Sequence, residues 1–153
     1  MDKNVWCIRA GKKKELEDIF INKELIALSW GKTGNLCSLK SSKTDIYNKL
    51  KEFYPNIVVG AGRVFASQLY RFIFEVEIND FIIFVSLKNN LIYIGKICSQ
   101  YEYNTSLPHD SFHSRKVSWI KTIGRSSLMK ESLRAIGAPS AFFKVVNYYE
   151  FLY

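Results

Sequence analysis

The stretch DFIIFVSLKNNLIYIGKICS, residues 80–99, decides the class of fold. It holds two apolar runs of strand length, at 80–87 and 91–99, and Asn89-Asn90 between them suits a tight hairpin turn. Further apolar runs of strand length lie on both sides of this hairpin, at 4–11, 24–30, 115–123 and 141–151. The sequence therefore predicts about six strands.

Helical patterns separate these strands. Apolar side chains recur at helical spacing in 12–22, and the segments 41–55, 60–74 and 126–137 carry further helix signals. The second and third helices are expected to bury Ile46, Leu50, Phe53, Val64, Leu69, Phe72 and Ile73. Strands interspersed with helices predict one α+β domain over residues 1–153, with a small, strongly curved sheet or barrel.

The charge of the chain indicates an acidic partner. Its 153 residues include 22 Lys and Arg against 14 Asp and Glu, which gives a net charge of +8. Nucleic acid is the commonest partner of such a surface, and a basic surface without a specific ligand is the alternative. No apolar run approaches the roughly 20 residues of a membrane span, and the first residues do not resemble a signal peptide. No membrane partner is expected.

The three cysteines predict neither disulfides nor a metal site. Cys7, Cys37 and Cys98 are far apart and lack the spacing of metal ligands. Cys7 and Cys98 fall in apolar strand patterns, so we expect them to be buried free thiols. A reducing, cytoplasmic compartment follows, and the sequence predicts no cofactor.

The stretch SWGKTG, residues 29–34, contains the last part of a phosphate-binding loop but not the whole of it. A P-loop needs a glycine five residues before Gly31, and Ile26 stands there. A helix should also follow, whereas Gly34-Asn35 is a turn signal. The pattern therefore does not predict a P-loop, and Trp30 in its turn context needs another explanation.

Catalytic patterns are scarce. The two histidines, His109 and His113, share a polar loop without the further ligands that a zinc site requires. Tyr93-Ile94-Gly95 resembles half of a GIY-YIG nuclease signature, but the preceding strand has neither the Gly nor the Tyr of the other half. We therefore predict a binding module with no catalytic residue, and keep the nuclease and a protein-interaction domain as alternatives.

The ordered set of strands and turns resembles a known group of domains. The matching pieces are VWCIRAG, ELIALSWGKTGNL, QLYRFIFEVEINDFIIFV, LIYIGKICSQYEY and RKVSWIKTI, between about residues 4 and 123. In order and spacing they resemble the EVE and YTH domains of the PUA-like superfamily, including those at the N-termini of McrB-like and Mrr-like restriction proteins. Family members have Gly-Asp before the central strand, where this chain has Asn79-Asp80. Asn tolerates the left-handed conformation that Gly would supply, so the turn is expected to survive.

The resemblance implies a pocket in which aromatic side chains hold one extruded, modified base, the modification being a methyl group in the leading interpretation. The Trp that follows the second strand forms one wall in the family, and that position is Trp30 here. The second wall would come from the loop after the YIG-type strand, where Tyr101, Tyr103 and Phe112 are the candidates. Hydrogen bonds to the base edge would come from Arg9, Ala10, Gly11 and Ser29.

The resemblance also implies a nucleic-acid partner. Candidate contacts to its phosphates are Lys12, Lys14, Lys32, Arg63, Arg115, Lys116, Lys121 and Arg125. The restriction-type versions favour DNA in a modification-dependent restriction system, with RNA as the alternative. They carry a GTPase or nuclease module in the same or a partner chain, which leaves open that residues 1–153 are the N-terminal part of a longer protein.

Overall fold

The structure, a computed structural model, describes residues 3–11, 14–39 and 42–153. The chain forms two compact units. The first unit comprises Met1–Ile26, Ile78–Gln100 and Arg115–Tyr153, and the second comprises Ala27–Glu77 and Tyr101–Ser114.

The strands of the described residues form one connected sheet. They are β1 (Val5–Ile8), β2 (Leu25–Leu28), β3 (Phe81–Val85), β4 (Leu91–Ile97), β5 (Glu102–Tyr103), β6 (His113–Gly124) and β7 (Phe142–Lys144). Their spatial order is β2-β6-β4-β3-β1-β7, and β5 pairs with the beginning of β6. The β1–β3 pair is parallel, whereas the pairs β3–β4, β4–β6 and β1–β7 are antiparallel. β2 and β6 begin in one unit and end in the other.

Helices flank these strands. They are α1 (Lys14–Asn22), α2 (Lys43–Phe53), α3 (Val59–Tyr70), α4 (Lys130–Ala135) and α5 (Tyr149–Leu152). α1, α4 and α5 belong to the first unit, and α2 and α3 to the second. The predicted α+β class, with a sheet of about six strands and flanking helices, is confirmed. Among the described helices, none combines the length and the apolar character that a membrane crossing requires.

The first unit buries side chains on both sides of the β3–β4 hairpin. Ile83 pairs with Ile94, and both lie in a core that also holds Leu128, Ile136 and Phe151 from the α4 and α5 region. The aromatic ring of Phe84 contacts Phe20 of α1, with ring centroids 5.1 Å apart. Each successive strand residue thus finds an apolar partner, because side chains alternate between the two faces of a strand.

The turns around the hairpin use asparagine in the left-handed region. Asn90, at the end of the hairpin turn, has φ 58°, and Asn79, before β3, has φ 78°. The expectation that Asn79 takes the left-handed conformation in place of Gly is confirmed. The next residue, Asp80, is buried and accepts a hydrogen bond of 3.0 Å from Nε1 of Trp6.

Gly95, the last residue of the YIG triplet, has a packing role. A β-bulge interrupts the β4–β6 pairing beside it, so that Ile94 pairs with Lys121 and Gly95 with Trp119. A Cβ atom at Gly95 would lie 2.7 Å from the carbonyl oxygen of Ser118 and 2.8 Å from Cε3 of Trp119. The indole of Trp119 therefore crosses β4 at Gly95, and glycine is the only residue type that leaves room for it there. Its Nε1 donates to the carbonyl of Phe20 at 2.8 Å.

The second unit is built from the α2–α3 pair and the two loops around it. The hydroxyl of Ser42 caps α2 by accepting from the backbone N–H of Asp45 at 3.1 Å. α3 lies close to α2 at Gly62, where an added Cβ would meet the Tyr47 ring at 2.9 Å. α3 then runs into a π-helical turn, Arg71–Glu75. The buried side chains of this unit include Leu36, Ile46, Leu50, Leu69 and Phe72.

Three predicted elements differ from the observed ones. The predicted helix 126–137 is a short 3-10 turn, Arg125–Ser127, followed by α4 alone. The predicted strand 141–151 is only β7, followed by α5. Tyr148, Phe151 and Leu152 have helical spacing and pack on the core, and a short apolar run does not distinguish this from a strand. The predicted loop 100–114 contains β5 and the beginning of β6.

Three predictions of burial were wrong. Phe53 is 43% exposed, because it follows the last buried turn of α2 and faces a groove described below. Val64 is 53% exposed, since α3 buries the opposite side through Gly62, Ala66 and Leu69. Cys98 is exposed because it lies beyond the end of β4.

The other two thiols differ from each other. Cys7 is buried in β1, and burial raises the pKa of its thiol to about 12, against the smaller opposing effect of Arg9. Cys37 is exposed, and the three cysteines are free. Of the two thiols that the sequence predicts to be buried, Cys7 is buried and Cys98 is exposed.

Gly95→Ala should destabilise the protein by about 1–3 kcal/mol, since the new methyl group meets the Ser118 carbonyl and the Trp119 ring. Gly60→Ala is the matched control. Gly60 lies in α3 with open space around its Cα, so Ala should stabilise by about 0.4–1 kcal/mol. Urea unfolding of both variants measures the difference, and equal stabilities would contradict the packing role of Gly95.

Candidate aromatic site of the second unit

Trp30 has a backbone conformation that bulky residues rarely adopt. Its φ of 74° and ψ of 31° lie in the left-handed region, directly before the 3-10 turn Gly31–Thr33. This conformation costs roughly 1–2 kcal/mol for a residue with a Cβ. Such residues persist only where the surroundings hold them, and they cluster at functional sites.

Hydrogen bonds to the carbonyl oxygen of Trp30 hold it in place. Nε2 of His113 lies 3.1 Å from this oxygen, and the hydroxyl of Thr33 donates to it at 3.0 Å. The other ring nitrogen of His113, Nδ1, lies 2.7 Å from the hydroxyl of Tyr101. That hydroxyl accepts in turn from the backbone N–H of Leu36 at 3.4 Å. A chain of hydrogen bonds thus links the 29–36 loop to the 101–113 loop.

The partners of His113 assign its tautomer. A carbonyl can only accept, so Nε2 must carry a proton, and Nδ1 then accepts from Tyr101. His113 is 0% exposed, and burial lowers the pKa of its imidazole to about 4, although the bond to Trp30 acts in the opposite direction. Burial also raises the pKa of the Tyr101 hydroxyl. The pair is therefore neutral at physiological pH.

Gly31 lets the second loop close directly onto Trp30. Its N–H donates to the carbonyl of Asp110 at 2.8 Å, and its carbonyl accepts from the hydroxyl of Tyr103. A Cβ atom here would lie 2.3 Å from Cδ2 of Phe112 and 2.6 Å from the Asp110 oxygen. Phe112 and Asp110 thus take up the room beside Gly31.

Two aromatic rings adjoin the indole of Trp30. Phe65 of α3 packs at a tilt of 35° with a centroid distance of 4.5 Å, and Tyr54 meets the indole edge-on at 5.0 Å. Both partners come from the α2–α3 pair of helices and the residue that follows α2. The indole is therefore supported on one side by side chains of the same unit.

Beside these rings lies an open groove of about 320 Å³. It is lined by Trp30, Phe53, Tyr54, Pro55, Asn56 and Ile57. The lining segment is a tight turn, in which the N–H of Ile57 donates to the carbonyl of Tyr54 at 3.0 Å. Asn56 supplies the polar side chain among otherwise flat or apolar groups, with both a donor and an acceptor. The groove thus combines a stacking surface with one group that can read a polar edge.

A lysine and a carboxylate form the rim near Tyr54. Nζ of Lys32 lies 4.0 Å from Oδ2 of Asp110 and 5.7 Å from the centroid of the Tyr54 ring. The Tyr54 hydroxyl accepts from the backbone N–H of Lys32 at 3.0 Å and hydrogen-bonds Asp110. Burial, with a contribution from Asp110, raises the pKa of Tyr54. The Lys32 side chain is 62% exposed, so its ammonium is available to an anion at the rim.

The aromatic residues predicted as the second wall have a different place. Tyr101 and Tyr103 are half-buried, their rings lie 5.8 Å and 5.6 Å from that of His113, and their hydroxyls are engaged as described. Phe112 packs edge-on against Tyr103 at 5.9 Å and covers Gly31. These three residues contact His113 or Gly31, which adjoin the backbone of Trp30. The rings beside the indole are those of Tyr54 and Phe65.

The residues predicted to read the base edge are divided between the units. Ser29 is half-buried beside Trp30 in the second unit. Arg9, Ala10 and Gly11 belong to the first unit, where the guanidinium of Arg9 donates to the carbonyl of Ile136 and Ala10 is buried. Gly11 is exposed with φ 66°. Their role in base recognition stays a prediction.

Six of the eight basic candidates are exposed. Lys32 and Arg63 are in the second unit, and Lys14, Lys116, Lys121 and Arg125 are in the first. Arg115 differs from these six: it is 2% exposed, and its Nη1 donates to the carbonyl of Ser99 at 3.2 Å. Its role as a phosphate contact stays a prediction. Burial lowers the pKa of its guanidinium to about 10, and Asp80 opposes this. Lys12 lies outside the described residues.

The alternative catalytic patterns can be placed as well. Tyr93 of the YIG triplet is buried, accepts from Nδ2 of Asn89 at 2.8 Å and packs on Phe84 and Trp119. His109 is exposed with φ 58°. Within residues 3–11, 14–39 and 42–153, no three His, Cys, Asp or Glu side chains are grouped as metal ligands would be.

Three residues of this site escaped the sequence analysis. Tyr54 and Phe65 lie in helical patterns, where an aromatic side chain is ordinarily a core residue. His113 was assigned to a polar loop, although it begins the longest strand, β6, and Ser114 and Arg115 after it are buried. The signal that could have found it is its position two residues before a strand pattern, beside Phe112.

The chain matches the model of the family described as Domain of unknown function (DUF8426) over residues 6–136. It belongs to this family. No curated protein matches the DUF8426 chain at a significant level.

Solved structures show a weak likeness to this DUF8426 chain. The crystal structure of the Mmi1 YTH domain is 13% identical with a TM-score of 0.46, over 95% of this chain and 87% of that one. A complex of the YTH domain-containing protein Mmi1 with RNA is 14% identical with a TM-score of 0.41, over 88% of this chain and 63% of that one. At such values neither likeness bears on the ligand of the DUF8426 chain.

At Trp30 of the DUF8426 chain, the usual order of stability of Ala and Gly variants should be reversed. Trp30→Gly should be more stable than Trp30→Ala by about 1–2 kcal/mol, because only Gly adopts the left-handed conformation without cost. At Trp119, in the middle of β6, the same two substitutions should follow the ordinary order, with Gly weaker by roughly 0.5–1 kcal/mol. Urea denaturation of the four variants measures both differences. An Ala variant at Trp30 that is the more stable one would show that the conformation is not imposed.

The stability of the DUF8426 chain should fall on acidification because of His113. Its pKa is about 4 in the folded protein against an ordinary 6.5, so between these values the unfolded chain binds the additional proton. The free energy of unfolding should therefore drop by about 3 kcal/mol from pH 6.5 to pH 4 and level off below. Well above pH 6.5 both states are neutral, and His113 contributes no pH dependence.

Two variants isolate this effect. His113→Gln keeps a donor for Trp30 but does not titrate, so the difference between its pH profile and that of the parent gives the contribution of His113. His109→Asn replaces the exposed histidine with a residue that tolerates the same positive φ, and it should retain the parental profile. A parental slope in His113→Gln would contradict the assignment.

Proposed function

We propose that this chain is a nucleic-acid-binding module in which one base, extruded from its strand, stacks on Trp30. The observation that carries the proposal is the strained backbone of Trp30, held by His113 and Thr33, beside an open groove. A core tryptophan would need neither the left-handed conformation nor the groove. A flat ligand with a polar edge fits the indole together with Asn56.

The energetics favour a site with more than one partner for the base. Stacking on an aromatic side chain contributes about 1–3 kcal/mol per base, whereas extrusion of a base costs a few kcal/mol. The indole alone therefore offsets only part of that cost. Tyr54 and Phe53 in the groove lining, the Asn56 amide and the Lys32 ammonium at the rim supply the remaining contacts. A damaged or mispaired base, which costs less to extrude, would bind more readily.

The charge distribution supports a nucleic-acid partner and indicates which unit attracts its phosphates. The first unit has 15 Lys and Arg against eight Asp and Glu, a net charge of +7, whereas the second has seven against six. The aromatic groove itself is thus almost neutral, and the long-range attraction for phosphate comes from the first unit. Lys116, Lys121 and Arg125, which are exposed along and after β6, are the proposed phosphate contacts.

The finer parts of the proposal follow from the EVE/YTH-like order of the sequence motifs. The base is modified, in the first instance methylated, and the strand is DNA read for a modification-dependent restriction system. A GTPase or nuclease module in the same or a partner chain would then carry out cleavage, and this chain would supply specificity. Recognition of a modified base in RNA is the second candidate, because a stacking groove accepts a base from either strand.

Binding of Trp30→Gly to a panel of oligonucleotides tests the stacking role. The panel consists of duplex DNA and single-stranded RNA, each unmodified or with one modified base. The parent should prefer one modified base, and Trp30→Gly should lose about 5- to 150-fold in affinity for it, the equivalent of one stacking partner. Affinity for unmodified nucleic acid should change little, because phosphate contacts dominate it.

Lys121→Ala is the control for a phosphate contact. It should weaken binding to modified and unmodified duplexes alike and flatten the dependence of log affinity on log salt by about one unit. Equal affinity of the parent for every oligonucleotide would leave only electrostatic binding. A folded Trp30→Gly variant that keeps the parental preference would exclude Trp30 as the stacking surface. The nucleic acid that shows the larger preference decides between DNA and RNA.

A further inference from the structure

A groove lies in the first unit, away from any residue assigned so far. Its volume is about 750 Å³. It is lined by Lys3, Asn4, the residues Met129, Glu131 and Ser132 at the start of α4, and the segment from Lys144 to Glu150. Nothing in the sequence analysis indicated a site here.

Lysine ammonium groups lie on aromatic rings around this groove. Nζ of Lys3 is 4.9 Å from the centroid of Phe81 and 5.3 Å from that of Tyr153. Nζ of Lys96 lies 5.1 Å from the same Phe81 ring. Nζ of Lys144, on the neighbouring strand β7, lies 5.7 Å from the Trp6 ring. The rings orient the three ammonium groups without neutralising them, since a cation–π contact leaves the charge in place.

These three charges have no carboxylate partner among the described residues. The ion pairs within residues 3–11, 14–39 and 42–153 involve other lysines, namely Lys32, Lys49 and Lys88. Glu150 lines the groove, but its Oε1 accepts from the N–H of Met129 and from the hydroxyl of Ser132. That carboxylate thus serves the beginning of α4, and Glu131 is the remaining acidic group of the lining.

Exposed flat side chains adjoin the lysines. Tyr149 and Tyr153 are 74% and 67% exposed, and their rings lie 4.9 Å apart at a tilt of 36°. Lys3 connects this pair with the sheet, because its ammonium contacts the rings of both Tyr153 and Phe81 of β3. Its N–H donates to the hydroxyl of Tyr148 at 3.2 Å. We call the set Lys3, Lys96, Lys144, Tyr149 and Tyr153 the lysine-tyrosine surface.

We propose that the lysine-tyrosine surface is a second nucleic-acid contact that binds a single-stranded segment. Phosphates lie against Lys3, Lys96 and Lys144, and bases stack on Tyr149 and Tyr153. Basic groups that follow a backbone, with aromatic rings between them, are the physical pattern of single-strand binding without sequence preference. The site shares with the Trp30 groove only the class of its partner and does not depend on base reading there.

Charge favours nucleic acid over a protein partner for this surface. The first unit, to which all five residues belong, has the net charge of +7. The core of a protein interface is typically depleted in lysine, whereas Lys3 and Lys144 both line this groove and Lys96 shares the Phe81 ring with Lys3. An acidic polymer with flat bases matches both the ammonium groups and the tyrosine rings.

The test measures affinity of the full chain for labelled oligouridylate and oligothymidylate between about 50 and about 200 mM salt. The triple variant Lys3→Gln, Lys96→Gln, Lys144→Gln should bind about 100-fold more weakly near 0.1 M salt and flatten the salt slope by about two units, as expected for three lost single-strand phosphate contacts. Tyr149→Ala with Tyr153→Ala should lose at least about fivefold with the slope unchanged.

The matched control is Lys23→Gln, Lys43→Gln, Lys51→Gln, which removes the same charge from exposed lysines outside this surface. It should retain the parental slope. Equal losses in both triple variants, with folding confirmed by melting temperature, would overturn the proposal, because only net charge would then matter. Trp30→Gly separates the two sites: if it keeps the affinity for these oligonucleotides while the lysine variant loses it, the lysine-tyrosine surface stands independently of the Trp30 groove. A dimer in sedimentation that Tyr149→Ala dissociates would show that a second copy covers the surface, and would also overturn the proposal.

Discussion

The aromatic site of the second unit depends on one hydrogen bond, from Nε2 of His113 to the carbonyl of Trp30. This hydrogen bond matters because the protonation state of His113 and the backbone conformation of Trp30 are both unusual. The histidine is buried and neutral, and the tryptophan has a left-handed backbone that would relax without support. The Trp30 carbonyl can only accept, so Nε2 is the donor, and Nδ1 accepts from the Tyr101 hydroxyl. An indole held in this way keeps its orientation before a ligand arrives, which lowers the entropic cost of binding.

The two units divide the physical tasks. The second provides a rigid, nearly neutral groove whose surface is flat and apolar, while the first provides the excess positive charge. Attraction to a phosphate backbone acts over a Debye length, about 8–10 Å at ordinary salt, whereas stacking acts only in contact. Under the proposed function, specificity and affinity can therefore vary separately, through substitutions in different units.

The sequence predicted most of the fold and part of the site, and the differences have physical causes. The 80–99 hairpin and Asn79 were predictable because strand alternation and turn residues act locally. The short helix α5 was not predictable, because Tyr148-Tyr149-Glu150-Phe151 fits both the period of a strand and that of a helix. Trp30 stood out by its turn context, but its neighbours Tyr54 and Phe65 come from elsewhere in the chain. The sequence around Arg115 is typical of a charged surface residue, and only the structure shows that it is buried against the carbonyl of Ser99.

The unequal cysteines have a practical consequence. Cys7 is inert, because its thiolate is scarcely populated at neutral pH and its sulfur is buried. The exposed thiols are divided evenly, with Cys98 in the first unit and Cys37 in the second. Maleimide-linked spin labels or fluorophores would thus attach once to each unit of the unaltered chain. Dipolar spectroscopy or energy transfer between them would then give the separation of the units in solution, with and without an oligonucleotide.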